Sequence, residues 1–533
     1  MLFNSFEFIF AFLPATLAVF FLLGARARGL ALGWLVAASL FFYAWWRPLN
    51  VAIIAPSIAV NYALARWLLA LRADRSRAAA ARWVLALGVV FNVGFLGYFK
   101  YVNFFAVAIN DIAGANFVLE RVILPLGISF ITFQKIAFLI DVHGRRVESF
   151  TLRDYLLFVL FFPQLIAGPI VHYREMMPQF QAAPCRFDRG HLAVGLTLFV
   201  FGLFKKVVLA DGIAEHVTPI YAAAAGGAQV SLLPAWIAAL GFTLQIYFDF
   251  SGYSDMAVGL ARCFGVKLPP NFDSPLKASS IIDFWLRWHM TLTRFLTAYL
   301  YNPLVLWLTR RRIARRLPLL GGRQVSVGAF LQLLAAPTLL TMFVSGLWHG
   351  AGYLFIAWGV LHGVYLVINH AWRQVGPRLW PSKESYTRVM QPVGFALTFL
   401  AVAIAMVLFR AANGVAAFEL LQGMVGLNGI GVPQALYDVS GPLRAFVGVS
   451  AELSAQALVT AAAWIAGLLL IALALPNTLQ LLARHEPALL VTKEPGRVFA
   501  WNPSLAWAAA IAALAAASVI KLGGKSEFLY WQF

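Results

Sequence analysis

The residue with the clearest potential for chemistry is a histidine that ends a long uncharged stretch. Residues 345–350 read Ser-Gly-Leu-Trp-His-Gly, and no charged residue stands between Val327 and His349. Neutral imidazole can take a proton from a hydroxyl while that hydroxyl attacks an acyl group. Gly346 and Gly350 would allow backbone or substrate to approach closely. The alternative is an interfacial histidine that only hydrogen-bonds a neighbouring carbonyl, and the residues alone leave both interpretations open.

A second histidine ends the aromatic segment Phe284-Trp285-Leu286-Arg287-Trp288-His289. His289 could orient a substrate or assist proton transfer, with Arg287 nearby for an anionic group. Ser280 predicts the capped start of a helix that continues through Tyr299. This helix is too polar to face lipid on all sides, so we expect it to pack against other helices or line a polar cavity. A packed aromatic helix without chemistry is the alternative that the segment alone favours.

Two carboxylates, Asp249 and Asp255, flank a short segment of serine, glycine and aromatic residues. They could bind a metal or act as acid and base, but residues six apart share a helical face poorly, and no histidine stands beside them. We therefore predict a turn with Asx-type backbone hydrogen bonds. Cys185 and Cys263 lie far apart without CxxC spacing, so we expect no disulfide framework and no metal site.

The last six residues, Phe528-Leu529-Tyr530-Trp531-Gln532-Phe533, contain four aromatic side chains. An aromatic belt at the membrane–water interface is the simplest interpretation. A free terminus is normally disordered unless something holds it, and four aromatics would bind this terminus to a surface.

The elements that must position these residues are transmembrane helices. Of 533 residues, 61% are hydrophobic and only 12% are charged, too few to cover a water-facing surface. The sequence predicts an all-α polytopic integral membrane protein, with one domain over residues 1–533 and the last transmembrane helix plus the terminal motif in residues 500–533. The net charge of +19 lies in short loops, so no basic stripe remains for nucleic acid.

Thirteen apolar runs approach the length of about 20 residues that a helix needs to cross a bilayer. We expect eleven to thirteen of them to be transmembrane or re-entrant, with the re-entrant segment between Phe161 and Lys206. The runs are Phe6–Leu23, Leu30–Trp46, Val51–Leu71, Trp83–Tyr101, Val122–Val142, Tyr155–Val171, Leu192–Leu209, Leu232–Phe250, Val327–Trp348, Tyr353–Asn369, Val393–Phe409, Ala455–Leu475 and Ala506–Ile520.

Loop charges predict the orientation. Arginines follow the first and third runs, and further basic clusters occupy the Arg310–Arg316 loop and the stretch from Arg484 to Arg497. Positive loops mark the cytoplasmic side, so both termini are predicted to lie outside the cytoplasm.

In order and spacing, these motifs resemble the membrane-bound O-acyltransferase (MBOAT) family, and within it the bacterial alginate O-acetylation branch. The resemblance runs from Met1 to Phe533. After Tyr301 the chain departs from alginate-type relatives, with Asn302-Pro303-Leu304 and an Arg-rich stretch in place of a shorter Gly-rich link. The matching landmarks are Leu124–Phe130, Ile166–Pro169, Tyr247–Ala257, Arg287–His289 and Gly346–Gly350.

The resemblance implies a ring of helices around a thin centre, with funnels from both faces that meet near the catalytic histidine. It implies that His349 is that histidine and that His289 is the second functional position. The ending resembles an FxYxxF motif whose tyrosine accepts the acyl group, which corresponds to Tyr530 between Phe528 and Phe533. The expected substrate-binding residues are Arg287, Trp348 and Asp249.

The function implied is transfer of an acetyl group from a cytoplasmic thioester, acetyl-CoA or another acyl thioester, with no bound cofactor. The acceptor would be an exported polysaccharide, and a periplasmic SGNH-type partner would complete the transfer. The location implied is the bacterial inner membrane, with lipid around the helices and no nucleic acid. There are three alternatives: a flippase of lipid-linked glycans, D-alanyl or other acyl transfer to an envelope polymer, and a structural subunit. A flippase would often show internal repeats, which are not evident in this sequence.

Overall fold

A computed structural model of the chain is almost entirely helical. It describes residues 1–114, 122–166, 168–182, 185–320, 326–441, 447–449, 454–489, 500–524 and 529. Within these ranges the only strands are β1 (Ile430–Val432) and β2 (Val447–Val449), which pair in parallel. The prediction of an all-α polytopic membrane protein is confirmed.

The α-helices are numbered in chain order. In the first half they are α1 Leu13–Arg26, α2 Arg28–Ala44, α3 Leu49–Leu71, α4 Ala78–Ala113, α5 Ile128–His143, α6 Leu152–Leu160, α7 Phe162–Leu165, α8 Tyr173–Ala182, α9 Arg189–Phe204, α10 Asp211–Ala225 and α11 Leu232–Cys263. In the second half they are α12 Ile281–Arg287, α13 Met290–Leu296, α14 Asn302–Ala314, α15 Val327–Phe330, α16 Ala336–His349, α17 Tyr353–Val375, α18 Lys383–Arg410, α19 Gly414–Met424, α20 Gln434–Val439, α21 Ala455–Ala474, α22 Thr478–Leu481 and α23 Leu505–Lys521.

Short turns of other helical types join several of these helices. Single π-helical turns occupy Glu7–Phe12, Lys205–Ala210, Thr297–Tyr301 and Leu331–Ala335. Turns of 3₁₀ helix occupy Arg75–Arg77, Pro275–Lys277, Gly376–Leu379 and Ala483–His485. Such π-turns occur frequently at functional sites, and the turn at Leu331–Ala335 directly precedes α16, which carries Trp348 and His349.

Among the described residues, nine helices are long and apolar enough to cross a membrane, and two shorter apolar helices accompany them. These eleven correspond to eleven of the thirteen predicted runs. The spanning helices are Glu7–Arg26, Leu49–Leu71, Arg75–Asn110, Arg189–Ala225, Leu232–Cys263, Val327–His349, Tyr353–Leu379, Lys383–Arg410 and Ala455–Ala474, and the shorter ones are Arg28–Ala44 and Leu505–Lys521.

The remaining two runs do not form long helices, so eleven apolar helices are found among the described residues, within the predicted range of eleven to thirteen. The re-entrant segment between Phe161 and Lys206 stays a prediction. The run Tyr155–Val171 breaks at Phe161, where the backbone leaves helical geometry. Pro163 follows two residues later, and proline fits into a helix only in its first turn, so a new helix has to begin at this point. The run Val122–Val142 becomes helical only at Ile128, in the 16-residue α5, most of which is buried. Most of the described helical residues of both runs are buried in protein. Hydrophobicity alone cannot distinguish a segment buried in protein from one that faces lipid.

The chain divides into two compact units, each built from separated segments. The first contains Met1–Phe204, Gly252–Pro270 and Thr478–Gly523. Its interior includes a group of phenylalanine rings, among them Phe8, Phe42 and Phe162. The second contains Lys205–Ser251, Asn271–Asn477 and Gly524–Phe533, and of that last stretch only Gly524 and Leu529 are described. The single-domain organisation stays a prediction.

Candidate active site

His349 is the last residue of α16 and lies in an aromatic cage within the second unit. Its ring is 5.1 Å from that of Trp358 and 5.3 Å from that of Phe409, both edge-on, and 4.9 Å from its neighbour Trp348. The residue is 7% exposed, so the imidazole meets little water. A base in such surroundings acts on a proton without competing solvent.

Glycine packing sets the position of His349. A Cβ on Gly346 would stand 3.1 Å from the Cα of Gly359 and would clash with the carbonyl oxygen of Phe355. The backbones of α16 and α17 therefore cross in direct contact, which brings Trp358 on α17 against His349. A Cβ on Gly350 would clash with the Phe355 ring. The prediction that Gly346 and Gly350 allow other groups to approach closely is confirmed, because backbone and side-chain atoms of α17 occupy the space at both glycines.

His289 lies in a break between α12 and α13, and the expected continuous helix through Tyr299 was wrong. Trp288 has extended backbone geometry, and His289 has φ 43° and ψ 50°. Positive φ is uncommon for residues other than glycine, so this position carries a backbone cost. The capped start is confirmed, because the Ser280 hydroxyl accepts the Asp283 N–H at 3.2 Å.

The amide of Asn271 fixes the tautomer of His289. Its Oδ1 accepts the backbone N–H of Thr291 at 3.3 Å and the Thr291 hydroxyl at 2.7 Å. The same oxygen lies 3.1 Å from Nδ1 of His289. Since a backbone N–H can only donate, the Asn271 oxygen must face this group, and His289 Nδ1 must carry the proton. Nε2 is then the basic nitrogen.

The two histidines lie next to each other. Their ring centroids are 6.3 Å apart, and the His289 ring is 6.1 Å from Trp348 and 4.7 Å from Phe250. His289 is fully buried and lies outside the spanning helices, and burial lowers its pKa to about 3. It is therefore neutral at cellular pH and can accept a proton or a hydrogen bond.

A third histidine, His362, was not predicted from the sequence. It is completely buried on α17, one turn from Trp358, whose ring lies 4.9 Å away. Trp285 Nε1 donates to its Nδ1 at 3.3 Å, so Nε2 carries the proton, and within the described chain that Nε2 has no hydrogen-bond partner. The signal was present in the sequence, because an ionisable residue inside an apolar run is a functional candidate by default.

Asp249 lies in the middle of α11, so the predicted Asx turn was wrong. The helix runs unbroken from Leu232 to Cys263 through the whole serine- and glycine-containing segment. A buried carboxylate is tolerated there because Lys206 Nζ lies 2.5 Å from its Oδ1. Asp249 is one residue from Phe250, the aromatic partner of His289.

Arg287 and Trp348 differ in their relation to the histidines. The Nε of Arg287 donates to Asp283 at 2.9 Å, and its Nη1 donates to the Asp273 carbonyl at 3.4 Å. Trp348 is buried, and its ring lies 6.1 Å from that of His289 and 4.9 Å from that of His349. Their substrate-binding roles stay predictions, as do the catalytic roles of His349 and His289.

The predicted acceptor Tyr530 and its neighbours Phe528 and Phe533 lie outside the described residues. Leu529 is described and buried, and its backbone N–H donates a hydrogen bond to the carboxylate of Asp249. Among the described residues, no group of three histidine, cysteine or acidic side chains could hold a metal ion.

Comparisons with known proteins place the chain among acyltransferases by sequence. Residues 144–317 match the family model described as MBOAT, membrane-bound O-acyltransferase family. A probable alginate O-acetylase, AlgI, of Pseudomonas aeruginosa is 35% identical over 565 residues, with 100% of both chains covered. A peptidoglycan O-acetyltransferase of Helicobacter pylori is 40% identical over 81% of each chain. A teichoic acid D-alanyltransferase of Streptococcus thermophilus is 30% identical over 46% of this chain and 57% of its own length.

Proposed function

Because this chain belongs to the membrane-bound O-acyltransferase family, we propose that it moves an acetyl group from a cytoplasmic thioester across the membrane to hydroxyls of an exported polysaccharide. The observation that carries the proposal is the pair of histidine rings, 6.3 Å apart and largely shielded from water. Acetyl transfer is preferred because the Pseudomonas aeruginosa and Helicobacter pylori relatives, which match most of the chain, are named as acting on acetyl groups.

The chemistry assigned to His349 is general-base catalysis. The attacking hydroxyl oxygen forms a bond to the thioester carbonyl carbon while the imidazole takes the hydroxyl proton. The tetrahedral intermediate then loses its carbon–sulfur bond, and the leaving thiolate receives that proton. The products are an ester and a free thiol. The buried indole N–H of Trp348 is a candidate donor to the intermediate's oxyanion.

His289 supports this step as a neutral hydrogen-bond acceptor. The protonated Nδ1 is occupied by Asn271, so the unprotonated Nε2 is the nitrogen with which His289 would orient the attacking hydroxyl. Arg287 stays a candidate contact for an anionic portion of a substrate.

Tyr530 is the proposed first acceptor. A phenol has a pKa near 10, so a phenyl ester keeps much of the transfer potential of the thioester. A second transfer, to a polysaccharide hydroxyl, would then restore the free phenol. A periplasmic SGNH-type partner is proposed to carry out this second transfer.

The donor is assigned to the cytoplasmic side of a bacterial inner membrane, with both termini on the opposite side. Four exposed arginines at the end of α14 and just after it support acetyl-CoA as the donor, because guanidinium groups bind phosphates well. These residues are Arg310, Arg311, Arg315 and Arg316. Arg312 belongs to the fold instead, since its Nη1 donates to Gln332 at 2.8 Å.

Transfer of D-alanyl groups to an envelope polymer is the second candidate, supported by the named activity of the Streptococcus thermophilus relative. A flippase has less support, because the relatives described above are named for acyl transfer.

Acyl transfer can be tested by incubating membranes that contain the protein with radiolabelled acetyl-CoA. We expect hydroxylamine-sensitive label on the protein or its polysaccharide product, and we expect His349→Ala to remove the label while the protein remains inserted. Labelled D-alanyl thioester serves as the competing donor. Equal labelling of the His349→Ala protein would overturn the mechanism.

A further inference from the structure

Two buried side chains on α17 carry N–H groups that meet no acceptor. They belong to Trp358, which is 1% exposed, and to His362, which is fully buried. Among the residues that the structure describes, neither Nε1 of Trp358 nor Nε2 of His362 has a hydrogen-bond partner. A buried donor that stays unpaired costs free energy, so such groups are few in folded proteins and each one calls for an explanation.

Both nitrogens are donors only. The indole N–H of Trp358 cannot accept a hydrogen bond. Trp285 donates its own indole N–H to Nδ1 of His362 at 3.3 Å, so Nδ1 is the unprotonated nitrogen of this imidazole and Nε2 carries the proton. The two residues therefore present a pair of neutral donors.

These donors lie on one face of α17, next to His349. Residues four apart on a helix are neighbours, and the rings of Trp358 and His362 are 4.9 Å apart. The ring of Trp358 also lies 5.1 Å from that of His349. All three residues belong to the second unit. An acceptor held by this pair would thus stand beside the proposed base.

The chemical group that suits such a pair is a carbonyl oxygen. A carbonyl oxygen only accepts hydrogen bonds, whereas a hydroxyl group or a water molecule also brings hydrogens that need acceptors of their own. In acyl transfer, the carbonyl oxygen takes up the negative charge of the tetrahedral intermediate. Donors that are already oriented in a site with little water stabilise this charge strongly.

We propose that Nε1 of Trp358 and Nε2 of His362 bind the carbonyl oxygen of the acyl group while His349 acts on the attacking hydroxyl. This assignment rests on the proposed function, because it requires an acyl thioester at the site. Trp358 is then a hydrogen-bond donor to the substrate as well as a wall of the cage, and His362 contacts the reacting group directly.

Two unreactive analogues of acetyl-CoA test the assignment. Acetonyl-dethio-CoA keeps the carbonyl group and replaces the thioester sulfur by a methylene, whereas S-ethyl-CoA keeps the sulfur and replaces the carbonyl by a methylene. Their affinities are measured by isothermal titration calorimetry on the full-length protein in detergent. Trp358→Phe removes the indole N–H but keeps an aromatic ring. It should weaken binding of the ketone about tenfold, the loss expected for one buried hydrogen bond, and leave binding of S-ethyl-CoA unchanged.

At His362 the same donor can be removed and restored. The side-chain oxygen of His362→Asn can still accept from Trp285, but this side chain is too short to donate from the position of Nε2, so the ketone should again bind about tenfold more weakly. His362→Gln reaches that position with an amide N–H and should recover most of the affinity. Trp464→Phe is the matched control, since it removes an indole N–H from another helix, α21, and should change neither affinity.

The rate of transfer provides a second measurement. At saturating labelled acetyl-CoA, kcat should fall about a hundredfold or more in Trp358→Phe and in His362→Asn, the usual effect of removing one donor to an oxyanion. Equal weakening of both analogues would show that Trp358 and His362 only shape the cage, and an unchanged affinity for the ketone would show that they do not bind the carbonyl. Either result would overturn this assignment and leave acyl transfer standing. Binding of neither analogue to the parent protein would overturn the acetyl-CoA donor and the assignment together.

Discussion

At the scale of single residues, the side chain of Asn271 determines how His289 can act. Three groups, two from Thr291 and one from His289, meet at one amide oxygen. A neutral partner leaves the imidazole neutral, because burial already lowers the pKa of His289 to about 3. Asn271, 18 positions earlier in the chain, therefore determines which ring nitrogen of His289 carries the proton.

Replacing that neutral partner by an acid should introduce a pH dependence. In Asn271→Asp, a carboxylate beside the imidazole favours its charged form and should raise the pKa of His289 by about one to three units, to between about 4 and 6. Activity should then be lost as the pH falls through this range, because protonated His289 cannot accept a hydrogen bond. Initial rates measured from about pH 4.5 to 8 would test this, with Thr291→Ser as the control that adds no charge. An unchanged acid limb would exclude an acceptor role for His289.

Removing one oxygen atom from Tyr530 separates a chemical role of this residue from a role in anchoring the chain at the interface. Tyr530→Phe keeps the ring, its size and its affinity for the interface, so an aromatic belt would be unaffected. If the phenol carries the acetyl group, the variant should transfer none to polysaccharide, and conservative aromatic changes at Phe528 and Phe533 should be tolerated. Mass spectrometry of the C-terminal peptide, from cells that lack the downstream partner, should detect an acetyl group on Tyr530 in the parent protein. Wild-type transfer by Tyr530→Phe would contradict the prediction.

Candidate residues could be selected where the side chain is costly in its surroundings. His349 was selected because an ionisable side chain in an apolar segment is costly, and His289 was selected from the resemblance to the family, whereas His362 was missed although the argument from cost applies to it. Asp249 was identified as a carboxylate of interest, but its partner was not, because Lys206 and Asp249 are 43 positions apart and only the fold joins them.

At the scale of secondary structure, the crossing of α16 and α17 is the contact that positions the cage. Gly346 and Gly359 lie at its centre with their backbones in contact, so neither position has room for a side chain. Small residues at a membrane helix crossing permit this approach, and the surrounding van der Waals contacts then stabilise it.

A side chain at this crossing should separate the two helices. Gly346→Val should destabilise the protein by about 1–3 kcal/mol or more, the usual effect of overpacking, and should also reduce activity because His349 is three residues away on the same helix. Gly352→Ala is the matched control, since a Cβ there would stand 3.5 Å from Phe355, an ordinary contact distance. Thermal unfolding of both variants in detergent, followed by size-exclusion chromatography, measures the difference. Equal melting temperatures would show that the crossing tolerates a side chain.

Helices were predicted well where a single local feature of the sequence, such as a long apolar run or a capping serine, determines them. Long uninterrupted apolar runs became helices near the expected residues, and Ser280 caps α12 as its sequence indicated. The break at His289 was not predictable, because no glycine or proline marks it, and the positive φ is maintained by contacts with Asn271 and Phe250 that are distant in sequence. Similarly, α11 continues through a segment with the composition of a turn because a buried lysine neutralises its carboxylate.

At the scale of the whole molecule, the predicted orientation in the membrane rests on the distribution of basic residues. The sequence shows where positive charge accumulates, and the structure shows which of these charges are accessible. Arg310, Arg311, Arg315 and Arg316 are exposed, whereas Arg312 is buried and donates to Pro318, Gly328 and Gln332. The division into two units made of interleaved segments could not be predicted from the sequence, because it depends on contacts far apart in the chain.

The orientation can be tested at Arg315, which is exposed and lies just after α14. A cysteine introduced there should resist membrane-impermeant thiol reagents in intact cells and should react after the cells are opened, because the segment is predicted to be cytoplasmic. Arg312 is a poor probe position, since its replacement would remove three hydrogen bonds. Rapid labelling of Arg315→Cys in intact cells would reverse the proposed orientation and the side on which the donor binds.

The aromatic cage around His349 also bears on how economically the donor is used. A base that can activate a polysaccharide or phenol hydroxyl can equally activate water, and every water molecule activated would waste a thioester. Trp358 and Phe409 cover the imidazole edge-on, and the site leaves only 7% of its surface exposed. If His349 is the base and a thioester is the donor, as proposed, the cage would keep the number of donor molecules consumed close to the number of esters made.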